Sequence, residues 1–417
     1  MDKLVIHGGE PLSGTVEISG AKNAVLPIMA ATIIVPGTYK ISRVPDLRDT
    51  RTMIRLLEII GCTVEFEKGR LDIDSSGCDN PEAPYDLVKT MRASFYVLGP
   101  LLSRFGYAKV SMPGGCAWGP RPVNFHVDAM EKIGAETELE DGYIVAKGEN
   151  LSGGSVEFEV SSVGATGNAV MAAVGAVGDT TISNAAMEPE ITCLCDFLSD
   201  MGARISGVGT SELRIEGSSA MRCADVDVIP DRIEAATFLI AGAMSGERIT
   251  VDSVVPEHLS SVVELLRETG NEIEVGDSHV TIAKKGRPAA VSMTTAIYPG
   301  FPTDVQAQWM ALMSMAEGDS SITDTVYLDR FTHIAELNRL GADITLHQNV
   351  AEVRGREQLK GAHVMSTDIR ASASLILAGL AAEGRTEISR VYHIDRGYER
   401  IEEKFQSLGG KIERARE

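Results

Sequence analysis

The chain has 417 residues, a hydrophobic content of 44% and a formal net charge of −20 at pH 7. That length predicts two or three domains, each large enough for its own core. The negative charge argues against binding to nucleic acid or to an anionic membrane surface, since both require a basic face. A small anionic ligand would need Lys, Arg and helix N-termini gathered at one place.

The N-terminal stretch MDKLVIHGGE lacks the apolar core of a signal peptide, and the longest apolar run, AVLPIMAATIIV, is too short to span a bilayer. The six cysteines show neither CxxC nor zinc spacing, and the sequence contains no P-loop and no complete dinucleotide fingerprint. We therefore expect a cytoplasmic protein with reduced thiols, no metal site and no membrane partner.

Along the chain, one unit recurs six times. A helix rich in small residues turns at a glycine into a strand, and an amphipathic helix then ends at a second glycine before an alternating strand. Glycine is suited to the position after a helix, which commonly needs a positive φ. These second glycines recur every 68 to 73 residues: Gly61, Gly134, Gly202, Gly270, Gly341 and Gly409.

The repeat predicts two domains of three units each, every unit reading strand, helix, strand, helix, strand, strand. The sixth unit reaches the end of the chain without its last strands, and residues 1–20 have the matching pattern. We therefore predict one domain at 21–229 and a second formed by 1–20 with 230–417. A solenoid is the alternative, but solenoid repeats are shorter, at about 20 to 45 residues.

Charged residues recur where five of the six small-residue helices begin, and the remaining junction is polar. Such an N-terminus offers free N–H groups and a partial positive charge, so six of them facing a cleft between the domains would form an anion site. Taken singly, an Asp at this position is usually an N-cap and an Arg is usually solvated. The junctions carry Lys22, Arg92, Ser162 with Gly164, Asp231, Asp304, and Asp368 with Arg370.

One loop, at 112–122, breaks the repeat. The interval from Gly106 to Gly134 is 28 residues, against 23 to 25 at the corresponding places, and the extra residues include PGGCAWGPR with Cys116. A glycine-rich insertion carrying a thiol predicts a lid, and Arg121 would favour the thiolate. The alternative is that Cys116 is an inert small hydrophobic residue.

Several blocks resemble the UDP-N-acetylglucosamine enolpyruvyl transferases of peptidoglycan synthesis. The resemblance runs from residue 1 to about 415, and it implies an inverse α/β barrel of two domains, each with three βαβαββ repeats. It also implies transfer of the enolpyruvyl group of phosphoenolpyruvate to the sugar 3′-hydroxyl, without a cofactor. The blocks are SGAKNAVLP, YDLVKTMRAS, PGGCAWGPRPVNFH, SVGAT, PDRIEA, FPTDVQAQ, STDIRASASLILAG and YHIDRGYERI.

The resemblance also implies roles for individual residues. Cys116 would donate a proton to phosphoenolpyruvate and form a covalent adduct with it or with fosfomycin, and Asp304 would accept the proton of the sugar hydroxyl. Lys22, Arg121 and Arg396 would bind phosphoenolpyruvate, with Arg92 and Arg370 adding charge. The remaining implied substrate contacts are Asn23, Pro122, Val123, Asn124, Phe125, Ser162, Val163, Gly164, Asp231, Val326, Arg330 and Asp368.

Three residues depart from or modify the pattern. Val160 and Arg48 stand where some members have Lys, and Trp118 is bulky for the loop. Two alternatives remain beside the main interpretation. A shikimate-type enolpyruvyl transferase shares the fold but does not use a loop cysteine, and a non-catalytic paralogue would bind UDP-sugars without turnover.

Overall fold

A computed structural model describes residues 2–112, 123–217 and 220–416. The chain divides into a continuous unit, residues 20–229, and a discontinuous unit made of 1–19 with 230–417. Each unit has its own hydrophobic core. No helix within the described ranges is long and apolar enough to cross a membrane.

The described residues of the continuous unit form three four-stranded sheets with the same strand order. In each sheet the first two strands are parallel and the other two are antiparallel to their neighbours. In spatial order the sheets are Val226–Asp227, Thr38–Ser42, Arg70–Asp74 and Thr63–Glu67; Glu82–Ala83, Tyr107–Ser111, Tyr143–Lys147 and Glu136–Glu140; and Gly154–Glu157, Thr180–Ser183, Glu212–Glu216 and Arg204–Ser206. The helices of this unit are Lys22–Ala31, Arg48–Ile60, Tyr85–Val88, Arg92–Val97 (3₁₀), Leu98–Phe105, Asn124–Lys132, Val163–Ala173 and Pro189–Asp200.

The discontinuous unit repeats this arrangement over its described residues. Its sheets, given from the parallel pair onward, are Leu12–Glu17, Gly246–Asp252, His279–Ala283 and Glu272–Val275; Met293–Thr294, Asp319–Thr323, Val350–Arg354 and Asp343–His347; and His363–Met365, Gly384–Ser389, Asp2–Gly8 and Lys411–Arg416. Its helices are Arg232–Ser245, Pro256–Leu259 (3₁₀), Ser260–Glu268, Thr303–Val305 (3₁₀), Gln306–Met313, His333–Arg339, Ile369–Ala381, Val391–Arg396 (3₁₀) and Ile401–Ser407.

The first strand of the chain completes the last repeat. Asp2–Gly8 lies between Gly384–Ser389 and Lys411–Arg416 and is antiparallel to both, with Leu4 opposite Ile388 on one side and Arg414 on the other. The N-terminal segment therefore supplies the fourth strand of the sixth repeat.

The chain passes between the two units at two neighbouring points. Within the discontinuous unit, the N–H of Asp231 donates to the carbonyl of Ser19 at 2.9 Å, and within the continuous unit the N–H of Ala21 donates to the carbonyl of Ile229 at 2.8 Å. Between them, a Cβ on Gly20 would lie 1.8 Å from the carbonyl oxygen of Arg43, so only glycine fits there.

The small-residue helices form the centre of each unit. Every residue of Gln306–Met313 is buried, and this helix packs against Arg232–Ser245 and Ile369–Ala381 in the discontinuous unit. The sheets pack on these helices, which confirms the predicted inverse α/β barrel of βαβαββ repeats. All six glycines that follow the amphipathic helices have positive φ, from 88° to 107°, as the sequence predicted.

Candidate substrate-binding site

The six charged or polar junctions all lie where a central helix begins. Asp231, Asp368 and Ser162 are N-caps, which is the usual role of an Asp at the start of a helix. One carboxylate oxygen of Asp231 accepts from the N–H groups of Ile233 and Glu234 at 2.8 and 3.1 Å. The carboxylate of Asp368 accepts from the two corresponding N–H groups at 2.7 and 3.1 Å, so both aspartates stabilise their helices whatever else they contact.

In the discontinuous unit, Asp304 is held by two arginines, and we call these three residues the aspartate–arginine cluster. Oδ1 of Asp304 accepts from Nη1 of Arg330 at 2.7 Å and from Nε of Arg370 at 3.2 Å. All three side chains are largely buried. Buried ion pairs are stable only when their hydrogen-bond geometry is good, and here one oxygen serves both guanidinium groups.

The charges of this cluster determine the protonation of Asp304. Burial alone would raise the pKa of Asp304, but the charges and hydrogen bonds of Arg370 and Arg330 outweigh it and hold the pKa well below its usual range. Burial would lower the pKa of Arg370, yet the neighbouring Asp304, Tyr398 and Asp231 raise it. Asp304 is therefore a carboxylate, and both arginines are cations.

Asp324, which the sequence analysis did not select, fixes the loop that carries Val326 and Arg330. Its fully buried carboxylate accepts at Oδ1 from the N–H groups of Val326 and Tyr327 at 3.0 and 2.8 Å. It also accepts from the hydroxyl of Thr295 at 2.7 Å (Oδ1) and, at Oδ2, from that of Thr303 at 2.6 Å.

Thr303 directly precedes Asp304, so the carboxylate of Asp324 ties together the two segments that supply the aspartate–arginine cluster. The position of Arg330 relative to Asp304 therefore depends on Asp324, a residue that was not predicted to belong to the site.

A second polar network contacts the backbone carbonyl of Asp304. Nε2 of Gln308 donates to the backbone carbonyl of Asp304 at 3.1 Å, and it lies 3.2 Å from the hydroxyl of Tyr398. That hydroxyl contacts the hydroxyl of Thr237 at 2.8 Å, and the ring of Tyr398 lies 5.9 Å from the guanidinium carbon of Arg370.

Arg396 ends the 3₁₀ helix Val391–Arg396, two residues before Tyr398 in the chain. A Cβ on the intervening Gly397 would lie 2.7 Å from Ile369 Cγ2, at the start of the helix that carries Arg370. The segment of Arg396 and the start of that helix therefore pack directly together.

In the continuous unit, Lys22 is the first residue of the helix Lys22–Ala31, and Asn23 follows it. Nζ of Lys22 lies 3.3 Å from Oδ2 of Asp49, and the two side chains are only 12% and 4% exposed. Arg48 begins the helix that carries Asp49. A buried cation at a helix N-terminus opposes the helix dipole, so this arrangement favours an anion-binding role over a stabilising one.

Arg92 begins the 3₁₀ helix Arg92–Val97 and lies near His126, a residue that the sequence analysis quoted within a block but did not select. Burial and the charge of Arg92 lower the pKa of His126 to about 3, so its imidazole is neutral. Nδ1 of His126 lies 2.8 Å from Nδ2 of Asn168, and a Cβ on Gly164 would lie 3.1 Å from the imidazole ring.

His126 therefore joins the start of the helix Asn124–Lys132 to the start of Val163–Ala173. These two helix ends carry the predicted sugar-nucleotide contacts of this unit, Val123, Asn124, Phe125, Ser162, Val163 and Gly164. The rings of Phe125 and Phe158 add an edge-on contact with centroids 6.4 Å apart. Val160, nearby in the chain, is 59% exposed.

The predicted loop residues Cys116, Trp118, Arg121 and Pro122 lie outside the described residues.

Comparisons with known proteins agree with the architecture. Residues 6–405 match the family model of EPSP synthase (3-phosphoshikimate 1-carboxyvinyltransferase). The chain is 56% identical over 417 residues to UDP-N-acetylglucosamine 1-carboxyvinyltransferase of Chlorobaculum parvum, covering 99% of this chain and 98% of that protein. It is 50% identical to the enzyme of the same name from Desulfosudis oleivorans, over 99% of both chains.

Solved structures show the same fold. The enolpyruvyl transferase NikO from Streptomyces tendae superposes with a TM-score of 0.90 at 29% identity, over 99% of both chains. EPSP synthase from Acinetobacter baumannii superposes over the whole of both chains with a TM-score of 0.77 at 18% identity, which is a likeness of fold alone.

Proposed function

Because the chain belongs to the EPSP synthase family of enolpyruvyl transferases, we propose that it transfers the enolpyruvyl group of phosphoenolpyruvate to the 3′-hydroxyl of UDP-N-acetylglucosamine and releases phosphate. Full-length relatives at 50% to 56% identity that bear the name of this activity support the choice of UDP-N-acetylglucosamine over shikimate 3-phosphate. The reaction takes place in the cytoplasm, as a step of peptidoglycan synthesis.

The observation that carries the mechanism is the aspartate–arginine cluster. In the addition step, the sugar oxygen bonds to C2 of phosphoenolpyruvate, its proton passes to a base, and a second proton is added to C3. In the elimination step, phosphate leaves C2 and a proton leaves C3, which restores the double bond. Asp304 is the base, since it is an ionised carboxylate beside two cations that attract anionic substrate.

Cations hold the phosphate and carboxylate of phosphoenolpyruvate through both steps, during which negative charge moves onto the leaving phosphate. Lys22 and Arg92 at helix starts of the continuous unit, and Arg370 at a helix start of the discontinuous unit, supply positive charge. Arg121 and Arg396 complete the anion ligands.

Cys116 donates the proton to C3. Its thiol also forms the covalent adducts with phosphoenolpyruvate and with fosfomycin.

The contacts proposed for UDP-N-acetylglucosamine concern each unit by itself. In the continuous unit it meets the helix starts joined by His126, together with Arg121 and Pro122. In the discontinuous unit it meets Asp304 and the exposed Val326. Asn23, Asp231, Arg330 and Asp368 are the further polar contacts.

Release of inorganic phosphate from UDP-N-acetylglucosamine plus phosphoenolpyruvate tests the proposal, with shikimate 3-phosphate as the matched alternative acceptor. We expect turnover only with the sugar nucleotide. Turnover of shikimate 3-phosphate would assign the chain to the other branch of the family. Binding of the sugar nucleotide without phosphate release would indicate a non-catalytic paralogue.

A further inference from the structure

Two buried cysteines of the continuous unit lie in contact, far from the residues that the mechanism uses. Sγ of Cys62 and Sγ of Cys78 are 3.0 Å apart, and each residue is 6% exposed. Cys62 follows the glycine that ends the helix Arg48–Ile60, and Cys78 lies in the loop after the strand Arg70–Asp74. Both are free thiols.

The backbone holds this loop tightly against the helix end. The N–H of Asp79 donates to the carbonyl of Ile60 at 3.2 Å. A Cβ on Gly61 would lie 2.7 Å from the carbonyl oxygen of Gly77 and 3.1 Å from Cα of Cys78. The contact between the two sulfur atoms is therefore set by main-chain packing on both sides.

The other five repeats show which residues occupy the positions equivalent to Cys62 and Cys78. The hydrogen bond from the loop N–H to the carbonyl near the helix end recurs in the other repeats, for example from Ser152 to Ile133 at 3.0 Å and from Lys360 to Leu340 at 2.8 Å. Those bonds identify the positions equivalent to Cys62 and Cys78. The equivalent pairs are Ala135 with Leu151, Ala203 with Met221, Asn271 with Pro288, Ala342 with Leu359, and Gly410 with Leu12.

In none of these five equivalent pairs does a cysteine occur, so the fold does not require sulfur at this place. In four of the five pairs, all except Asn271 with Pro288, a small residue is matched with a larger apolar one, and this satisfies the packing. The thiol pair is thus a property of this repeat alone, and its chemistry needs a separate explanation.

The two thiols differ in acidity. Arg104 donates to the carbonyls of Ser75 and Cys78 at 2.9 and 3.4 Å, which fixes its guanidinium beside the loop. The hydrogen bond from Cys62 and, against the effect of burial, the charge of Arg104 lower the pKa of Cys78. The hydrogen bond with Cys78 and burial raise the pKa of Cys62. Such a difference favours Cys78 as the thiol that attacks first and Cys62 as the thiol that reacts second.

We propose that Cys62 and Cys78 are a reversible disulfide site that is oxidised by small hydroperoxides. The thiolate of Cys78 attacks one peroxide oxygen, the O–O bond breaks, and Cys78 becomes a sulfenic acid, while the alkoxide or hydroxide that leaves takes up the proton that the Cys78 thiol had lost. Sγ of Cys62 then bonds to Sγ of Cys78, and the sulfenic hydroxyl leaves with the thiol proton as water. The peroxide gains the two electrons that the thiols lose, and a small dithiol reverses the change.

Oxidation would close a loop between residues 62 and 78 and fasten the C-terminal end of the helix Arg48–Ile60. Asp49, the partner of Lys22, lies at the opposite end of this 13-residue helix, about 15 to 20 Å away. We therefore expect the bond to stabilise the continuous unit and to leave phosphate release unchanged. The loop length corresponds to a rise of roughly 5 to 10 °C in the unfolding temperature of that unit.

The test treats the reduced full-length protein with hydrogen peroxide, blocks free thiols under denaturing conditions and maps the peptides by mass spectrometry. We expect a disulfide-linked peptide pair containing Cys62 and Cys78, lost after dithiothreitol. The buried Cys193 and Cys195 are internal controls, and we expect both to stay reduced and to be modified by the blocking reagent. The single variants Cys62→Ala and Cys78→Leu introduce the residues found at the equivalent positions, Ala135 and Leu151. Each should abolish the thermal shift caused by peroxide.

The proposal is wrong if both cysteines remain fully alkylated at peroxide concentrations that oxidise other thiols, or if the linked peptides appear only after unfolding. It is also wrong if either single variant keeps the full thermal shift. Comparison of the oxidised and reduced wild-type protein needs no variant, so poor folding of a variant leaves the test intact. None of these readouts depends on the identity of the acceptor substrate.

Discussion

Substitution of Asp324 should disturb the candidate site although Asp324 is not itself among the proposed substrate contacts. Its carboxylate accepts four hydrogen bonds, from Thr295, Thr303, Val326 and Tyr327. A hydrogen bond to a charged acceptor contributes about 1.5 to 3 kcal/mol, against about 0.5 to 1.5 kcal/mol for a neutral one.

Asp324→Asn keeps the shape and one acceptor oxygen, which can serve the N–H groups of Val326 and Tyr327. Its amide would face the hydroxyl of Thr303, which can rotate to accept. We therefore expect a loss of about 2 to 4 kcal/mol in unfolding free energy, from weaker bonds rather than from unpaired groups. Asp324→Ala leaves buried donors without an acceptor and should lose more.

The substitution should lower activity because Asp324 fixes the positions of Arg330 and Asp304. The loop with Arg330 and the turn with Asp304 lose their common fixed point, and a displacement of about 1 Å in a reacting constellation costs on the order of 100-fold. Steady-state phosphate release should show a tenfold or greater fall in kcat/KM for the sugar nucleotide in Asp324→Asn. Asp319→Asn is the matched control, because Asp319 is exposed and begins the strand that ends immediately before Asp324.

Circular dichroism and urea unfolding would establish that both variants are folded. Asp324 does not position the site if folded Asp324→Asn retains the kcat/KM of the wild-type protein, or if Asp319→Asn loses as much activity. Destabilisation alone, with normal kinetics of the folded fraction, would reduce Asp324 to a structural residue.

Three further outcomes are expected. Burial lowers the pKa of His126 to about 3. Between pH 6.5 and about pH 3 the unfolded state therefore binds a proton that the native state does not, so the protein becomes less stable as the pH is lowered through this range. At pH 5 this term is about 2 kcal/mol, and His126→Gln should flatten the dependence of urea unfolding between pH 5 and 7.5. Cys116→Asp should keep transferase activity with an optimum at lower pH and should resist fosfomycin; mass spectrometry that finds the fosfomycin adduct on another cysteine would contradict the assigned role. Asp304→Asn should lower kcat by about 100-fold or more while calorimetric affinity for UDP-N-acetylglucosamine changes little, and a change in KM alone would exclude the base role.

Most of the fold could be predicted from the sequence repeat. Glycine after each amphipathic helix is a local requirement, because a positive φ excludes most side chains, so the six glycines mark the same point of every repeat. The starts of the central helices could be located in the same way, and with them residues such as Lys22 and Asp304.

The contacts within the candidate site could not be obtained from the sequence. Asp324 lies 29 residues from its partner Thr295 and 21 from Thr303, and neither separation has a periodicity that identifies it. The pattern Thr-Asp-Thr after a strand predicts at most an Asx turn, which accounts for the bonds to Val326 and Tyr327 only. His126 was hidden for a similar reason, since only the packed helices reveal that it faces Gly164.

The ion pairs of Asp304 bear on when it can accept a proton. Two guanidinium groups stabilise its carboxylate so strongly that it is a weak base while both bonds persist. A phosphate or carboxylate bound to Arg370 or Arg330 would compete for the same donors and weaken their hold on Asp304. Its pKa would then rise toward the ordinary value when substrate is present. On this hypothesis the acidic limb of the pH profile for kcat, which reports the substrate complex, should lie at higher pH than the corresponding limb for kcat/KM, which reports the free enzyme. Coincident limbs would mean that the arginines keep their bonds to Asp304 throughout, and the proton would then have to pass to another group.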